Sequence, residues 1–130
     1  MLKRLEIHNY ILIDSLEIDF PEGLVIISGQ TGAGKSILLG ALGLLAGGKA
    51  DASVISEGAQ NCTVEAVFCG VSESVREMLE DSGAEWNDGE LIIRRVVAPS
   101  GRSRTFINDC PVPVQLLSSV SSSLFDIHSQ

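Results

Sequence analysis

The chain has 130 residues, of which 9 are Lys or Arg and 17 are Asp or Glu, so its net charge is −8. This acidic balance excludes a nucleic-acid binder that uses its whole surface. Hydrophobic residues make up 45% of the chain, enough for the core of one domain or part of one. No apolar run reaches the ~18 residues of a membrane span, and Lys3 and Arg4 lead into an alternating segment rather than a signal peptide. We therefore expect a cytoplasmic chain without a membrane partner.

The first elements alternate between apolar and polar residues. This period of two predicts half-buried strands at residues 2–9 and 16–20. Residues 24–28 form a short β-branched apolar run, which is typical of a buried parallel strand. A helix is expected over 37–45, where Leu and Ala predominate, with Gly47 and Gly48 ending it.

The rest of the chain continues the mixture of helices and strands. Small polar residues without periodicity predict a loop over 49–61. The elements predicted after it are a strand at 63–68, a helix at 72–82 closed by Gly83, a β-hairpin of strands 91–97 and 104–107, a turn at 108–111, a short helix at 114–122 and a last strand at 124–127.

Three cysteines, Cys62, Cys69 and Cys110, show no C-x-x-C spacing. Their odd number and spacing make a metal site or a disulfide framework unexpected. Cys62 and Cys69 flank a predicted strand, and we expect them to be small buried hydrophobic side chains.

The octapeptide at 29–36 fits G-x-x-x-x-G-K-[ST], the P-loop that wraps nucleotide phosphates. It lies between a predicted strand and a predicted helix, which is the context that the motif requires. Its glycines allow backbone amides to turn toward an anion, and the helix that follows adds unpaired N–H groups. Lys35 places a charge on the phosphates, and the Ser36 hydroxyl is a ligand for Mg²⁺. The residues predicted to bind ATP are Gly29, Gln30, Thr31, Gly32, Ala33, Gly34, Lys35, Ser36 and Ile37.

Hydrolysis also needs an acidic residue on a second strand to hold Mg²⁺. The nearest candidate is Asp126, whose apolar run is too short for us to assign it that role. We therefore expect the chain to be the N-terminal part of a longer ATPase.

Several other side chains allow two interpretations. The arginines at 94, 95, 102 and 104 line either a local basic patch or, as we favour, the solvated face of the hairpin. Tyr10 packs either against adenine or in the core. His8 is expected to face solvent or the base, and a site role for His128 stays open. Asn108 and Asp109 are expected to form a turn.

Taken together, these motifs resemble the RecN family of bacterial DNA-repair ATPases, which is related to the SMC proteins. The most specific segments are Gly-Gly-Lys-Ala-Asp at 47–51, Gly-Arg-Ser-Arg at 101–104 and Asp-Ile-His-Ser-Gln at 126–130. The resemblance implies an α/β fold, the N-terminal half of an ABC/SMC-type P-loop NTPase head, with a mixed sheet around the P-loop helix and an antiparallel β-meander. All of residues 1–130 would belong to this N-terminal lobe, which would end at the Q-loop.

The resemblance also implies a set of partners and roles. Lys35 and Gln130 would be catalytic, and Ser36 and Gln130 would coordinate Mg²⁺. ATP would bind between two heads of a homodimer, each completed by its own C-terminal half, and the full-length protein would act on DNA at the nucleoid. Three positions depart from the family: Gln30 replaces the usual Glu, and Lys49 and Ser56 stand where arginines are common.

Two other functions are compatible with a P-loop. A small-molecule kinase would use the same motif, although such enzymes usually open directly with the P-loop strand. A non-catalytic interaction module would keep the motif without its chemistry.

Overall fold

A computed structural model describes residues 2–20, 32–84 and 89–124, and for residues 32–35 the description covers the backbone alone. The described strands are β1 Leu2–Tyr10, β2 Ile13–Asp19, β3 Cys62–Phe68, β4 Leu91–Val97, β5 Ser103–Ile107 and β6 Cys110–Val112. The described helices are α1 Gly32–Leu45, α2 Glu73–Ser82 and α3 Val114–Leu124, with a single 3-10 turn at Ala52–Val54. None of these helices has the length and apolar character needed to cross a membrane.

The described strands form one antiparallel sheet in the order β2-β1-β3-β4-β5-β6. Strands β1, β2 and β3 confirm the strands predicted from alternation, although β2 begins at Ile13, before the predicted start at 16. Strands β4 and β5 confirm the predicted hairpin, and with β6 they form the expected antiparallel meander. The predicted strand at 24–28 lies outside the described residues, so the parallel part of the mixed sheet stays a prediction.

One face of the sheet is buried beneath the helices. Inward positions alternate along β3 and β4, so that Val64, Ala66, Leu91 and Ile93 are all fully buried. Helix α1 packs on β3 and β4, α3 packs on β5 and on α1, and α2 packs on α3. The P-loop helix is therefore held between the sheet and a second helix.

Helix α1 begins at Gly32, five residues before the predicted start at 37. Glycine is a poor helix former, so the glycines of the motif indicated a loop. In the structure the second half of the motif forms the first turn of the helix. This placement matters for function, because the unpaired N–H groups of a helix belong to its first turn.

The chain after β5 differs from prediction at two places. The turn residues Asn108 and Asp109 have φ angles of 50° and 65°, and Asn108 Oδ1 accepts a 2.9 Å bond from Ile92 N–H. Both residues are therefore turn formers, as expected, but the turn is tight enough for residues 110–112 to return as strand β6. Helix α3 runs through Leu124, so the predicted strand at 124–127 is wrong at that residue, and 125–127 lie outside the described residues.

Candidate nucleotide-binding site

The structure describes only part of the predicted P-loop. Gly29, Gln30 and Thr31 lie outside the described residues, as do Asp126, His128 and Gln130. The backbone of residues 32–35 forms the start of α1, so Gly32, Ala33, Gly34 and Lys35 all lie in the helix. Ser36 follows with an exposed side chain, and Ile37 is half-buried against the core.

The N-terminal end of α1 has the general features of an anion-binding helix end. Its first-turn N–H groups have no partner within the helix, and the helix dipole adds a partial positive charge there. No acidic residue occupies this first turn, so the turn carries no carboxylate charge that would repel an anion. The exposed Ser36 hydroxyl is of the chemical type that Mg²⁺ prefers.

The middle of α1 lies directly against Tyr10 of β1. A Cβ atom added to Gly40 would lie 2.3 Å from the Tyr10 hydroxyl oxygen, so this helix position accepts only glycine while Tyr10 keeps its place. Tyr10 is 5% exposed and belongs to the core, and burial raises the pKa of its phenol. Of the two interpretations of Tyr10, core packing is therefore correct.

Helix α1 ends at the glycine pair Gly47 and Gly48, as predicted from the sequence. Gly47 has a φ of 90°, its N–H donates to Leu44 O at 3.2 Å, and Gly48 N–H donates to Gly43 O at 2.9 Å. This pair of bonds is the Schellman arrangement, which satisfies two of the helix's last carbonyl groups.

Arg95 of β4 contacts this same end of the helix. Its Nη1 donates to Leu44 O at 2.8 Å and to Gly48 O at 2.5 Å, while Nε donates to Ser103 Oγ at 3.1 Å. Arg95 is 5% exposed, so the prediction that it lies on the solvated face of the hairpin is wrong. The signal was available in the sequence, because Arg95 is in phase with the inward-facing Ile93 and Val97.

A second side chain reaches the end of α1 from helix α3. Ser121 is 1% exposed and its hydroxyl donates to Leu45 O at 2.8 Å. Serine is not a strong helix former, yet here a serine within a helix supplies a buried hydrogen bond between two helices. Close packing accompanies it, since a Cβ atom on Gly47 would lie 2.0 Å from Ser118 Oγ.

The other arginines of the hairpin behave differently from one another. Arg94 forms ion pairs with Glu65 at 3.5 Å and with Asp109 at 3.0 Å, and its guanidinium lies 4.6 Å from the centre of the Phe106 ring. Its charge is therefore neutralised on the outer face of the sheet. Arg102 and Arg104 are exposed, as expected, and border an open groove of about 720 Å³ together with the polar side chains of 60 and 61.

Two of the three positions that depart from the family, Lys49 and Ser56, lie in the loop after α1, and the third, Gln30, lies outside the described residues. Lys49 is exposed and borders a groove of about 390 Å³ that Tyr10 and Gly43 also line. Ser56 is buried, and its hydroxyl donates to Ile11 O at 2.7 Å. Ser56 is therefore part of the packing and presents no group to solvent. His8 faces solvent from β1, with Nε2 3.6 Å from Glu6 Oε1.

Comparison with known proteins finds relatives in the family that the sequence motifs indicated. The family described as an AAA domain matches residues 4–107. The DNA repair protein RecN of Vibrio cholerae is 39% identical over 132 aligned residues, which cover 100% of this chain and 24% of that protein. The chain thus spans about a quarter of the length of this relative, and the resemblance to RecN is confirmed.

Solved structures agree on the fold. An Smc head bound to the C-winged helix domain of ScpA superposes with a TM-score of 0.70 at 22% identity, covering 98% of this chain and 42% of that one. The recombination mediator protein RecF-ATPrS of the RecFOR pathway superposes with a TM-score of 0.65 at 18% identity, covering 90% of this chain and 29% of that one. The expected N-terminal half of an SMC/ABC-type head is therefore confirmed as the fold.

Proposed function

Because this chain belongs to the AAA domain family and resembles RecN along its whole length, we propose that it is the ATP-binding half of a RecN-like ATPase. The whole protein would act in the repair of DNA double-strand breaks and in recombination. The observation that carries the proposal is the P-loop motif, whose second half begins helix α1. A helix that starts inside such a motif offers its N–H groups to a triphosphate.

Different residues of the motif would bind different parts of Mg·ATP. The amides of 29–34 and the Lys35 ammonium would hold the phosphates, and Ser36 would hold Mg²⁺. The metal, when bound, supplies charge that stabilises the phosphoryl group during transfer to water. Gln130 would orient that water and complete the metal's ligands. Most of the rate enhancement in such a site comes from groups already positioned where charge develops.

ATP binding would also drive assembly. The remaining three quarters of a RecN-like chain would supply the signature motif and the Walker B acid, so we expect the 130 residues alone not to hydrolyse ATP. Two complete heads would close around ATP and open after hydrolysis, because contacts to the γ-phosphate exist only before cleavage. The protein would work in the bacterial cytoplasm, at the nucleoid.

DNA contact by the whole protein is supported by the groove at the β4–β5 hairpin. Arg102 and Arg104 border this groove, and neither forms an ion pair with a carboxylate of the described residues. At protein–DNA interfaces, arginine side chains commonly donate hydrogen bonds to phosphate oxygens. In a chain of net charge −8, this would confine DNA contact to one local surface.

Calorimetry of the full-length protein with Mg·ATP tests the proposal. We expect the wild type to bind, Lys35→Ala to lose binding by at least about tenfold, and Lys49→Ala to bind as the wild type does. Lys49 is a matched control because it is an exposed lysine outside the motif. Absence of binding by the wild type, or equal binding by Lys35→Ala, would contradict the proposal. DNA repair that is unchanged in Lys35→Ala cells would favour an interaction module, and phosphate transfer to a small molecule would favour a kinase.

A further inference from the structure

Arg95 is the one charged residue among the buried residues of the described segments. It occupies an inward position of β4 that is otherwise apolar, next to Ile93 and Val97. Burying a cation is costly unless its donors and its charge are matched. Its hydrogen-bond partners are neutral oxygens, and within the described ranges no carboxylate forms an ion pair with it. Burial accordingly lowers the pKa of the guanidinium.

The end of helix α1 supplies the missing negative charge. The last carbonyl groups of a helix carry a partial negative charge and lack partners within the helix. Arg95 donates to Leu44 O in the last turn, which also accepts from Gly47 N–H, and to Gly48 O at the end of the Schellman turn. The same guanidinium is held by Ser103 of β5 through its Nε. Arg95 therefore joins the C-terminal end of α1 to two neighbouring strands.

The opposite end of this helix is the P-loop end. Helix α1 has 14 residues, which makes it about 21 Å long at 1.5 Å per residue. A helix of this length moves as a rigid rod, so a shift along its axis at one end is carried to the other. Misplacing a binding group by about 1 Å has large effects on the chemistry of a site. Fixing the C-terminal end of α1 therefore fixes where its N-terminal N–H groups lie.

We propose that Arg95 is a positioning residue for nucleotide binding. It fixes the position of the P-loop helix relative to strands β4 and β5. This inference rests on the proposed ATP-binding function. Arginine is required because its planar fork bonds carbonyls with one edge and Ser103 with another. Lysine keeps the charge but has no donor equivalent to Nε, so Arg95→Lys removes the positioning while it retains the cation.

The test compares nucleotide affinity with stability in the full-length protein. We expect Arg95→Lys to weaken Mg·ATP binding about tenfold by calorimetry. Val97→Ala is the matched control, because Val97 is buried on the same strand and its truncation leaves Arg95 in place. We expect its melting temperature to fall at least as far as that of Arg95→Lys, with affinity within twofold of the wild type. Equal affinities for Arg95→Lys and the wild type, or equal losses in both variants, would overturn the inference.

Two further measurements keep the test decisive. Amide hydrogen exchange in the nucleotide-free protein should accelerate over residues 36–45 in Arg95→Lys and stay unchanged there in Val97→Ala. If Arg95→Lys does not fold, Ser103→Ala replaces it, since this variant keeps the buried cation and removes only the bond to Nε. We expect a two- to threefold loss of affinity from Ser103→Ala, and an unchanged affinity would refute the positioning role. Failure of the wild type to bind Mg·ATP would instead refute the proposed function.

Discussion

The hydroxyl of Ser56 donates a 2.7 Å hydrogen bond to the carbonyl of Ile11, which joins two residues 45 positions apart in the chain. Ile11 has a φ of 52°, a left-handed conformation that is unfavourable for a β-branched side chain. Ile11 N–H also donates to Val54 O at 2.8 Å, and the backbones of Tyr10 and Ile55 pair in an isolated antiparallel β-bridge. The loop after the P-loop helix therefore holds the β1–β2 turn in a strained conformation.

Replacing Ser56 tests that relationship. We expect Ser56→Ala to lower the free energy of unfolding by about 1–2 kcal/mol, because it removes a buried donor and leaves the Ile11 carbonyl without it. Urea denaturation measures the loss. Ser53→Ala is the control, since Ser53 lies in the same loop with an exposed side chain, and its effect should stay within about 0.5 kcal/mol. Equal effects of the two variants would show that the Ser56 bond does not stabilise the turn.

The close approach of Gly40 and Tyr10 predicts a compensating pair of substitutions. Gly40→Ala should destabilise the protein by about 1–3 kcal/mol, because its Cβ would overlap the Tyr10 hydroxyl. In a Tyr10→Phe background the nearest remaining atom is the ring carbon, 3.5 Å away, which is ordinary contact. There Gly40→Ala should be neutral or gain up to about 1 kcal/mol from helix propensity.

The double-mutant cycle of these variants isolates the contact. Gly40→Ala should cost at least about 1 kcal/mol less in the Tyr10→Phe background than in the wild type. A Gly40→Ala substitution that costs the same in the wild type as in the Tyr10→Phe background would show that the hydroxyl is not the obstacle.

Cys62 makes the free energy of unfolding depend on pH in the alkaline range. The side chain is fully buried, and burial raises the pKa of its thiol from 9.0 to about 11. Between these two values the unfolded chain loses the thiol proton while the folded protein keeps it, so stability falls as pH rises. The contribution is at most about 1.4 kcal/mol per pH unit.

Urea denaturation at pH 8, 9 and 10 measures this dependence. Cys62→Ala should remove the Cys62 part of the alkaline loss, whereas Cys110→Ala, at a half-buried position, should retain it. A parallel pH dependence in the wild type and in Cys62→Ala would contradict the assignment. The pKa of Tyr10 is also raised, by burial and to a smaller extent by Cys62, so the difference between the two proteins reports the Cys62 thiol together with its effect on Tyr10.

The hairpin arginines predict the salt dependence of DNA binding by the full-length protein. Each phosphate contact contributes about −0.9 to the slope of log K against log salt for duplex DNA. Replacing both Arg102 and Arg104 with Gln should therefore make the slope shallower by about 1.8. The double variant Arg76→Gln, Arg94→Gln is the charge-matched control, because acids neutralise both of those arginines. Its slope should equal that of the wild type, and equal changes in the two double variants would exclude the hairpin as the contact surface.

The sequence by itself determined the features that depend on local patterns. Period-two alternation located three of the described strands, and the turn at 99–102 located the hairpin of β4 and β5. Gly47 and Gly83 marked the ends of two helices, and the octapeptide at 29–36 identified the phosphate-binding motif. These features are encoded by neighbouring residues, because side-chain periodicity and backbone freedom act over a few positions. The same locality explains why Asn108 and Asp109 were correctly predicted as turn formers.

Only the tertiary structure decided which groups the buried polar side chains bind. Arg95, Ser56 and Ser121 bond to carbonyl groups that lie 51, 45 and 76 residues away in the chain, so no local pattern predicts their partners. A buried polar group is tolerated only where the folded chain brings an acceptor to it. The C-terminal end of the P-loop helix is therefore held by residues of β4 and α3 that only the fold brings to it. The motif at its N-terminal end consists of eight consecutive residues and can be recognised from the sequence alone.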